Sequence, residues 1–429
     1  MLTSRFSIGI EEEFQSVDSQ SGELRSNIYT LFDKGQGLFG DRLHAEWAQS
    51  MIELTTALCS DIAAARQELY QMRALLAQVM RQEGLEPISA GTHPTTMWQT
   101  QEKTDRPRDH ELEREYQDVM RQRVLFGLHV HVGGVDNKEL TIQLINQLRT
   151  WVPHLLALSS NSPFWAGRFT GIKSYRSVVW QSGAPRSSLP EVIPSLDAFN
   201  RYINDLVAMQ CITSGKDIWW YVRPSFPSNT IEFCICDMPA TIEDTLALAA
   251  LCQALIAKLT WLYERKRPMT PVLPRHYIEE NLWRAVRYGL DARVTDFALR
   301  RTLSMRASIH ELLGFVDDIA NDLGTSREMH FLRALLDDPC GTGADHQIAA
   351  YQQRGNVQDV IRLLLEETMR GVEATFPVAF RETETEAHLA AIKPIRMTGK
   401  EALSEAETEA KLRAVEPIRR LRSYESEQM

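Results

Sequence analysis

Apolar and polar positions alternate at the start of the chain. In the run from Phe6 to Phe14, Phe6, Ile8 and Ile10 share one face. Side chains along a strand change sides at every residue. Glu11 and Glu13 therefore project together from the opposite face, and Glu12 falls on the apolar side. The same period recurs from Phe126 to Gly133: Phe126, Leu128, Val130 and Val132 point one way, His129 and His131 the other. It recurs again at 230–236, with Ile231, Phe233 and Ile235 opposed to Glu232, Cys234 and Cys236. Residues 46–56 are β-rich at their C-terminal end, where Gln49, Glu53 and Thr55 share a face; Glu46 is out of phase with Glu53 unless a bulge or turn intervenes.

Helical spacing takes over between these strands. Ser60 or Asp61 caps a helix carrying Ile62, Leu69, Met72, Leu75, Leu76 and Val79, which Gly84 ends. A short strand over 86–90 leads into the turn Gly91-Thr92-His93-Pro94, and the charged stretch 100–122 combines a loop with a helix. Asp136 or Asn137 caps the next helix, which Pro153 kinks or restarts. Residues 159–188 read as one long polar loop, and its embedded Trp165, Phe169, Tyr175 and Trp180 point to function. Two β-like runs, Trp219 to Arg223 and Thr230 to Asp237, precede an apolar helix from Thr241 to about Arg265, and residues 276–376 look mainly helical. Few large apolar residues recur after that, so the division is a domain over 1–376 and a charged tail over 377–429, partly helical or disordered.

Composition adds limits. The chain has 429 residues, 44% apolar and 24% charged, as in an ordinary globular protein. Its 47 Lys and Arg against 57 Asp and Glu leave a net charge of −10, which argues against a nucleic-acid partner. The first residues run straight into a strand pattern with no room for a signal peptide. No apolar run is read as approaching the ~20 residues that cross a bilayer, so no membrane partner is expected. The six cysteines are scattered with no CxxC pair, as in reduced cytoplasmic thiols.

The strands carry the candidate chemistry. Glu11/Glu13, Glu53, His129/His131 and Glu232 each project from the polar side of an apolar-faced strand. Any one of these alone is what a solvated strand shows; their repetition points to a cation, because carboxylates gathered on one face repel one another until neutralised. Carboxylate oxygens suit Mg²⁺, and mixed Glu/His sets also suit Mn²⁺ or Zn²⁺. There is no phosphate-cradling G-x-x-x-x-G-K-[ST] loop and no dinucleotide-binding glycine fingerprint.

Several segments, in order, resemble the bacterial carboxylate-amine ligases of the glutamate–cysteine ligase type 2 family: Gly9 to Phe14, Gly91 to Pro94, Gly127 to Val132, Leu158 to Trp165, Trp219 to Pro224, Thr230 to Phe233, Glu280 to Ala285 and Gly341 to Asp345. The resemblance covers roughly residues 5–375. It implies a glutamine-synthetase-like α+β fold with a curved antiparallel sheet and helices on the convex side. It implies an ATP- and Mg²⁺-dependent ligase that joins an amino-acid carboxylate to an amine through an acyl phosphate, acting on glutamate and cysteine, with a homodimer as its assembly. It assigns Glu11, Glu13, Glu53, His129 and Glu232 to metal, with Glu13 and Glu232 also at ATP, and His131 as a weaker candidate. Arg176 and Arg223 become the catalytic cations on phosphate or carboxylate, since a guanidinium grips either with paired hydrogen bonds. His93 either lines the nucleotide pocket or holds its turn together. One position departs from the family pattern: Cys234 stands where Arg is usual, so one cationic clamp is missing and a quiet, partly buried thiol takes its place.

Two other readings start from the same residues. His129, His131 and one glutamate could hold a single transition metal in a hydrolase or oxygenase. Alternatively, Cys234 marks an inactive ligase scaffold that binds nucleotide without turnover.

Overall fold

The computed structural model describes residues 5–182 and 184–372. The tail expected over 377–429 lies outside the described residues. Seven strands form one sheet: β1 (Ile8–Asp18), β2 (Leu43–Ala45), β3 (Met51–Thr55), β4 (Leu85–Ile88), β5 (Gly127–Val132), β6 (Val222–Ser225) and β7 (Thr230–Asp237). The order is β2-β3-β1-β5-β7-β6, with β4 pairing the far end of β1, and every pairing is antiparallel. With helices gathered on one side of an antiparallel sheet, this is the expected α+β class.

The alternating pattern decides the faces. Ile8, Ile10, Phe14, Leu128, Val130, Val132, Ile231 and Phe233 enter one apolar core. The helices Ile62–Arg81 and Ile242–Glu264 close that core. Asp61 caps the first, its carboxylate accepting from the Ala64 N–H, and Thr241 caps the second. Helix Ile242–Glu264 corrects the expectation of no span-length apolar run: its 23 residues have a mean hydropathy of 1.6 in an 18-residue window. Nearly all of that window, 94%, is buried inside the fold, as in a core helix.

Glu12 lies on the core side, as alternation requires. Its carboxylate accepts two hydrogen bonds from Arg73, Nη2 at 2.5 Å and Nε at 2.9 Å, and one from Thr245 Oγ1 at 2.8 Å. Arg73 also donates to the carbonyls of Ala240 and Thr368. One buried pair thus ties the middle of β1 to two helices and to the last described turn.

Three other expectations change. The loop over 159–188 contains a short hairpin, Phe164–Trp165 with Arg168–Phe169, and a helix, Tyr175–Gln181. A second hairpin, Arg293–Asp296 with Arg301–Ser304, interrupts the helical C-terminal part. Cys236 does not share a face with Glu232: the register slips between Leu128 and Val130, where Val130 faces Phe233 but Leu128 faces Cys236. The extra residue is a β-bulge, and it turns Cys236 into the core.

Candidate functional site

Pairing brings the polar positions of five strands into adjacent rows. Glu13 faces Glu53, Glu11 faces His129, His131 faces Glu232 and Glu232 faces Arg223. Directly opposed residues on one face lie close enough for their side chains to meet. His129 Nδ1 lies 3.0 Å from Glu11 Oε2, and its Nε2 is 4.0 Å from Glu13 Oε1. His131 Nε2 lies 3.1 Å from Glu11 Oε1 and 3.9 Å from Glu232 Oε1.

Two groups result, Glu11–His131–Glu232 and Glu11–Glu53–His129, each with one ligand atom per residue within 4.8 Å of the others. Glu11 belongs to both. His131 Nδ1 sits 2.9 Å from Thr230 Oγ1, and the tautomer that donates there leaves Nε2 bare. That buried Nε2 has no hydrogen-bond partner. A bare imidazole nitrogen aimed among carboxylates is what a divalent cation would satisfy, so the donor set fits one. His131 is thus as well placed as His129.

The electrostatics follow from crowding. Burial works to raise Glu11, but the hydrogen bond to His129 and the nearness of both imidazoles outweigh it and hold the carboxyl well below its usual range. Burial raises Glu13 against the pull of His129 and Arg176. Among the described residues Glu53 forms no ion pair with Lys or Arg: burial, then the charges of Glu11, Glu46, Glu13 and Glu232, push it well above the usual range. Burial opposes the charge of Glu232, but the Arg223 guanidinium outweighs it and brings that carboxyl to about 2. His129 is raised against burial by its hydrogen bond to Glu11 and by the charge of Glu13.

Arg223 and Arg176 have different surroundings. Arg223 grips Glu232 with two parallel hydrogen bonds, Nε to Oε2 at 2.7 Å and Nη2 to Oε1 at 2.6 Å, and donates to the Ile218 carbonyl. It orients a cluster carboxylate. Arg176 is buried beside Gly127, whose own N–H donates to Glu13 Oε2. A Cβ at Gly127 would sit 2.2 Å from Arg176 Nη2, so a side chain there would push this guanidinium out of its position. Cys234 donates its thiol to Glu232 Oε1 at 3.1 Å, and burial holds the thiol protonated.

His93 stands apart from these residues. Its Nε2–H donates to the Gly22 carbonyl at 2.8 Å and its Nδ1 accepts the Thr96 N–H at 3.1 Å. Burial lowers it to about 4, so it is a neutral ring holding two loops together.

The sequence pattern reached Glu46 only on condition of a turn, and it missed Asp237. Glu46 follows β2 in the turn toward β3, and burial together with the charge of Glu13 raises it to about 7. The turn returns it to the cluster despite its phase. Asp237 ends β7, buried, accepting from the Asn161 N–H (2.9 Å), Ser162 Oγ (2.6 Å) and Ser174 Oγ (2.8 Å). It pins the 159–188 segment against the sheet, and a Cβ at Gly91 would approach its Cγ to 2.8 Å. The polar run of Asn161, Ser162 and Ser174 was its only signal.

The site is thus a carboxylate–imidazole cluster on one face of an antiparallel α+β sheet. Residues 7–363 match the sequence profile of Glutamate-cysteine ligase family 2, and the chain belongs to that family. It is 40% identical over 373 residues to "Putative glutamate--cysteine ligase 2" of Solibacter usitatus, covering 86% of this chain and 94% of the relative. To the protein of that name in Sorangium cellulosum it is 42% identical over 374 residues, covering 87% and 98%. Among solved structures, the glutamate–cysteine ligase of Francisella tularensis in complex with AMP superposes with a TM-score of 0.70 at 13% identity, over 90% of this chain and 92% of that one. A bifunctional glutathione synthetase from Pasteurella multocida gives a TM-score of 0.65 at 15% identity, over 87% and 53%. Those two likenesses concern the fold.

Proposed function

We propose that this protein is an ATP-dependent carboxylate–amine ligase of the glutamate–cysteine ligase type, whose polar sheet face is the reaction site. A carboxylate attacks the γ-phosphorus of ATP and releases ADP; an amine then displaces phosphate from the acyl phosphate and leaves an amide. The observation that carries the reading is the convergence of Glu11, Glu53, His129, His131 and Glu232 in two groups sharing Glu11. Phosphoryl transfer needs positioning and neutralised phosphate oxygens more than covalent help from the protein.

Glu11, Glu53 and His129 would hold one divalent cation, and Glu11, His131 and Glu232 a second. Mg²⁺ suits the carboxylates, and Mn²⁺ suits the imidazoles as well. Such cations supply charge neutralisation at the transferring phosphoryl group. Glu13, fixed by the Gly127 N–H, borders this space. Arg223 keeps Glu232 ionised and oriented, and Arg176 offers a cation beyond Glu13.

The test is ADP and phosphate release by the full chain across a panel of amino acids and amines. Release should require both a divalent cation and a carboxylate acceptor, and Glu11→Gln should lower it by ~10²-fold or more. ADP release indifferent to the acceptor would refute the ligase. Stoichiometric zinc or iron would transfer the cluster to the hydrolase or oxygenase reading.

A further inference from the structure

Next to the cluster lies a second pair of cations, of which the proposed reaction has so far placed only Arg176. Arg123, in the segment leading into β5, is 5% exposed, and Arg176 is 2% exposed. The two guanidiniums share one indole: Arg123 Cζ is 4.5 Å and Arg176 Cζ 5.7 Å from the Trp180 ring centroid. Trp219 forms the other wall, 5.0 Å from Arg123 Cζ. Fully buried Tyr221 lies near both cations.

These arginines spend their hydrogen bonds on neutral carbonyls. Arg123 Nη2 donates to Trp180 O at 3.2 Å; Arg176 donates from Nη1 to Ile235 O at 3.2 Å and from Nη2 to Cys234 O at 3.3 Å. Arg123 Nε, Arg176 Nε and Trp180 Nε1 are buried with no partner. Among the described residues neither guanidinium forms an ion pair, whereas buried Arg73 has Glu12 and Arg223 has Glu232. Asp237 and Glu13 feel the charge of Arg176, but Asp237 is already taken by Asn161, Ser162 and Ser174. Two like charges side by side in the interior are costly until an anion joins them.

We propose that Arg123 and Arg176, with the Trp180 Nε1–H, form the subsite for the carboxylate of the amino-acid substrate that is not phosphorylated. This inference rests on the ligase reading for the identity of its substrate. A carboxylate is planar and accepts at about four lone-pair positions, which matches three unpartnered donors between flat aromatic walls. Trp180 and Trp219 are its half-buried walls. Arg176 borders Gly127 and hence Glu13, so an amino acid held here by its α-carboxylate would direct its side-chain carboxylate toward the cation cluster.

Calorimetric titration of the full chain tests this without turnover. Each of a panel of acidic L-amino acids is paired with its α-decarboxylated amine, glutamate with 4-aminobutyrate, and inorganic phosphate is run alongside. At least one amino acid should bind and its amine should not. Arg123→Gln should weaken that binding on the order of 10- to 100-fold, and Arg123→Lys should recover part of it, with the KM for ATP unchanged. Trp180→Phe, which keeps a ring but removes the Nε1–H, should weaken binding independently and covers the case in which Arg123→Gln fails to fold. Equal binding of amino acid and amine, unchanged affinity in folded Arg123→Gln, or phosphate binding in place of the amino acid overturns the subsite. Binding as expected with no ADP release leaves the subsite standing and removes the ligase; acceptor-dependent ADP release with an unaffected Arg123→Gln does the reverse.

Discussion

Burial and neighbouring carboxylates favour the protonated forms of Glu53 and Glu46, and a bound cation would oppose that. Both are raised, Glu46 to about 7 from an ordinary 4.5. A carboxyl raised in the folded state binds its proton more tightly there than in the unfolded chain. The stability it lends is complete below the unfolded value and is lost as pH rises through the folded one. For Glu46 that window runs from 4.5 to about 7. The cation-free protein should therefore lose melting temperature relative to Glu46→Gln across that window, and Mg²⁺ should restore it; a pH series of thermal melts with and without the metal checks both. Cys234 offers a second residue-scale expectation. Its thiol is buried, protonated and bonded to Glu232, whereas Cys211 and Cys340 are exposed. Iodoacetamide followed by peptide mass spectrometry should label Cys211 and Cys340 in the folded protein and Cys234 only after unfolding. At this scale the sequence told which way Glu11, Glu53, His129 and Glu232 point. It did not tell that Arg223 would be spent on Glu232 or that both ring nitrogens of His93 would be taken by backbone, because partners arrive from segments far along the chain.

Strands were the most legible elements, because a period of two with one apolar face has few other solutions. The bulge in β7 was not legible: no residue in Cys234-Ile235-Cys236 announces it, and only the pairing with β5 shows where the phase slips. The helix Leu196–Ala208, which packs on a small separate apolar cluster with Phe199 and Trp220, and the helix inside the 159–188 segment also escaped. Two substitutions test what the elements do for the site. Gly127→Ala places a methyl against the Arg176 guanidinium and should cut acceptor-dependent turnover far more than it lowers the melting temperature, compared by kinetics and thermal melts on the same preparation. Glu12→Ala leaves buried Arg73 without its carboxylate and should cost about 3–5 kcal/mol in denaturant unfolding. Replacing both partners by apolar residues should return much of that loss, because the unpaired charge then disappears.

Over the whole molecule, every residue of the cluster lies between Glu11 and Asp237, and the family match ends at residue 363. A chain ending after residue 376 should keep its cation- and acceptor-dependent ADP release, measured beside the full chain; loss of release without loss of fold would assign 377–429 a part in the chemistry. The order of family-like segments and the one-sided alternation of four strands were written in the amino acids alone. The resemblance implied the antiparallel α+β sheet, and the alternation set acids and imidazoles on its polar face, because side-chain direction along a strand is a local property of the backbone. Which of those groups meet was decided by tertiary structure. Strand order set Glu11 between His129 and His131, a turn returned Glu46 to the cluster, and Asp237 drew in a distant loop. Burial then fixed the charges, because desolvation and the nearness of like groups exist only once separate segments share one interior.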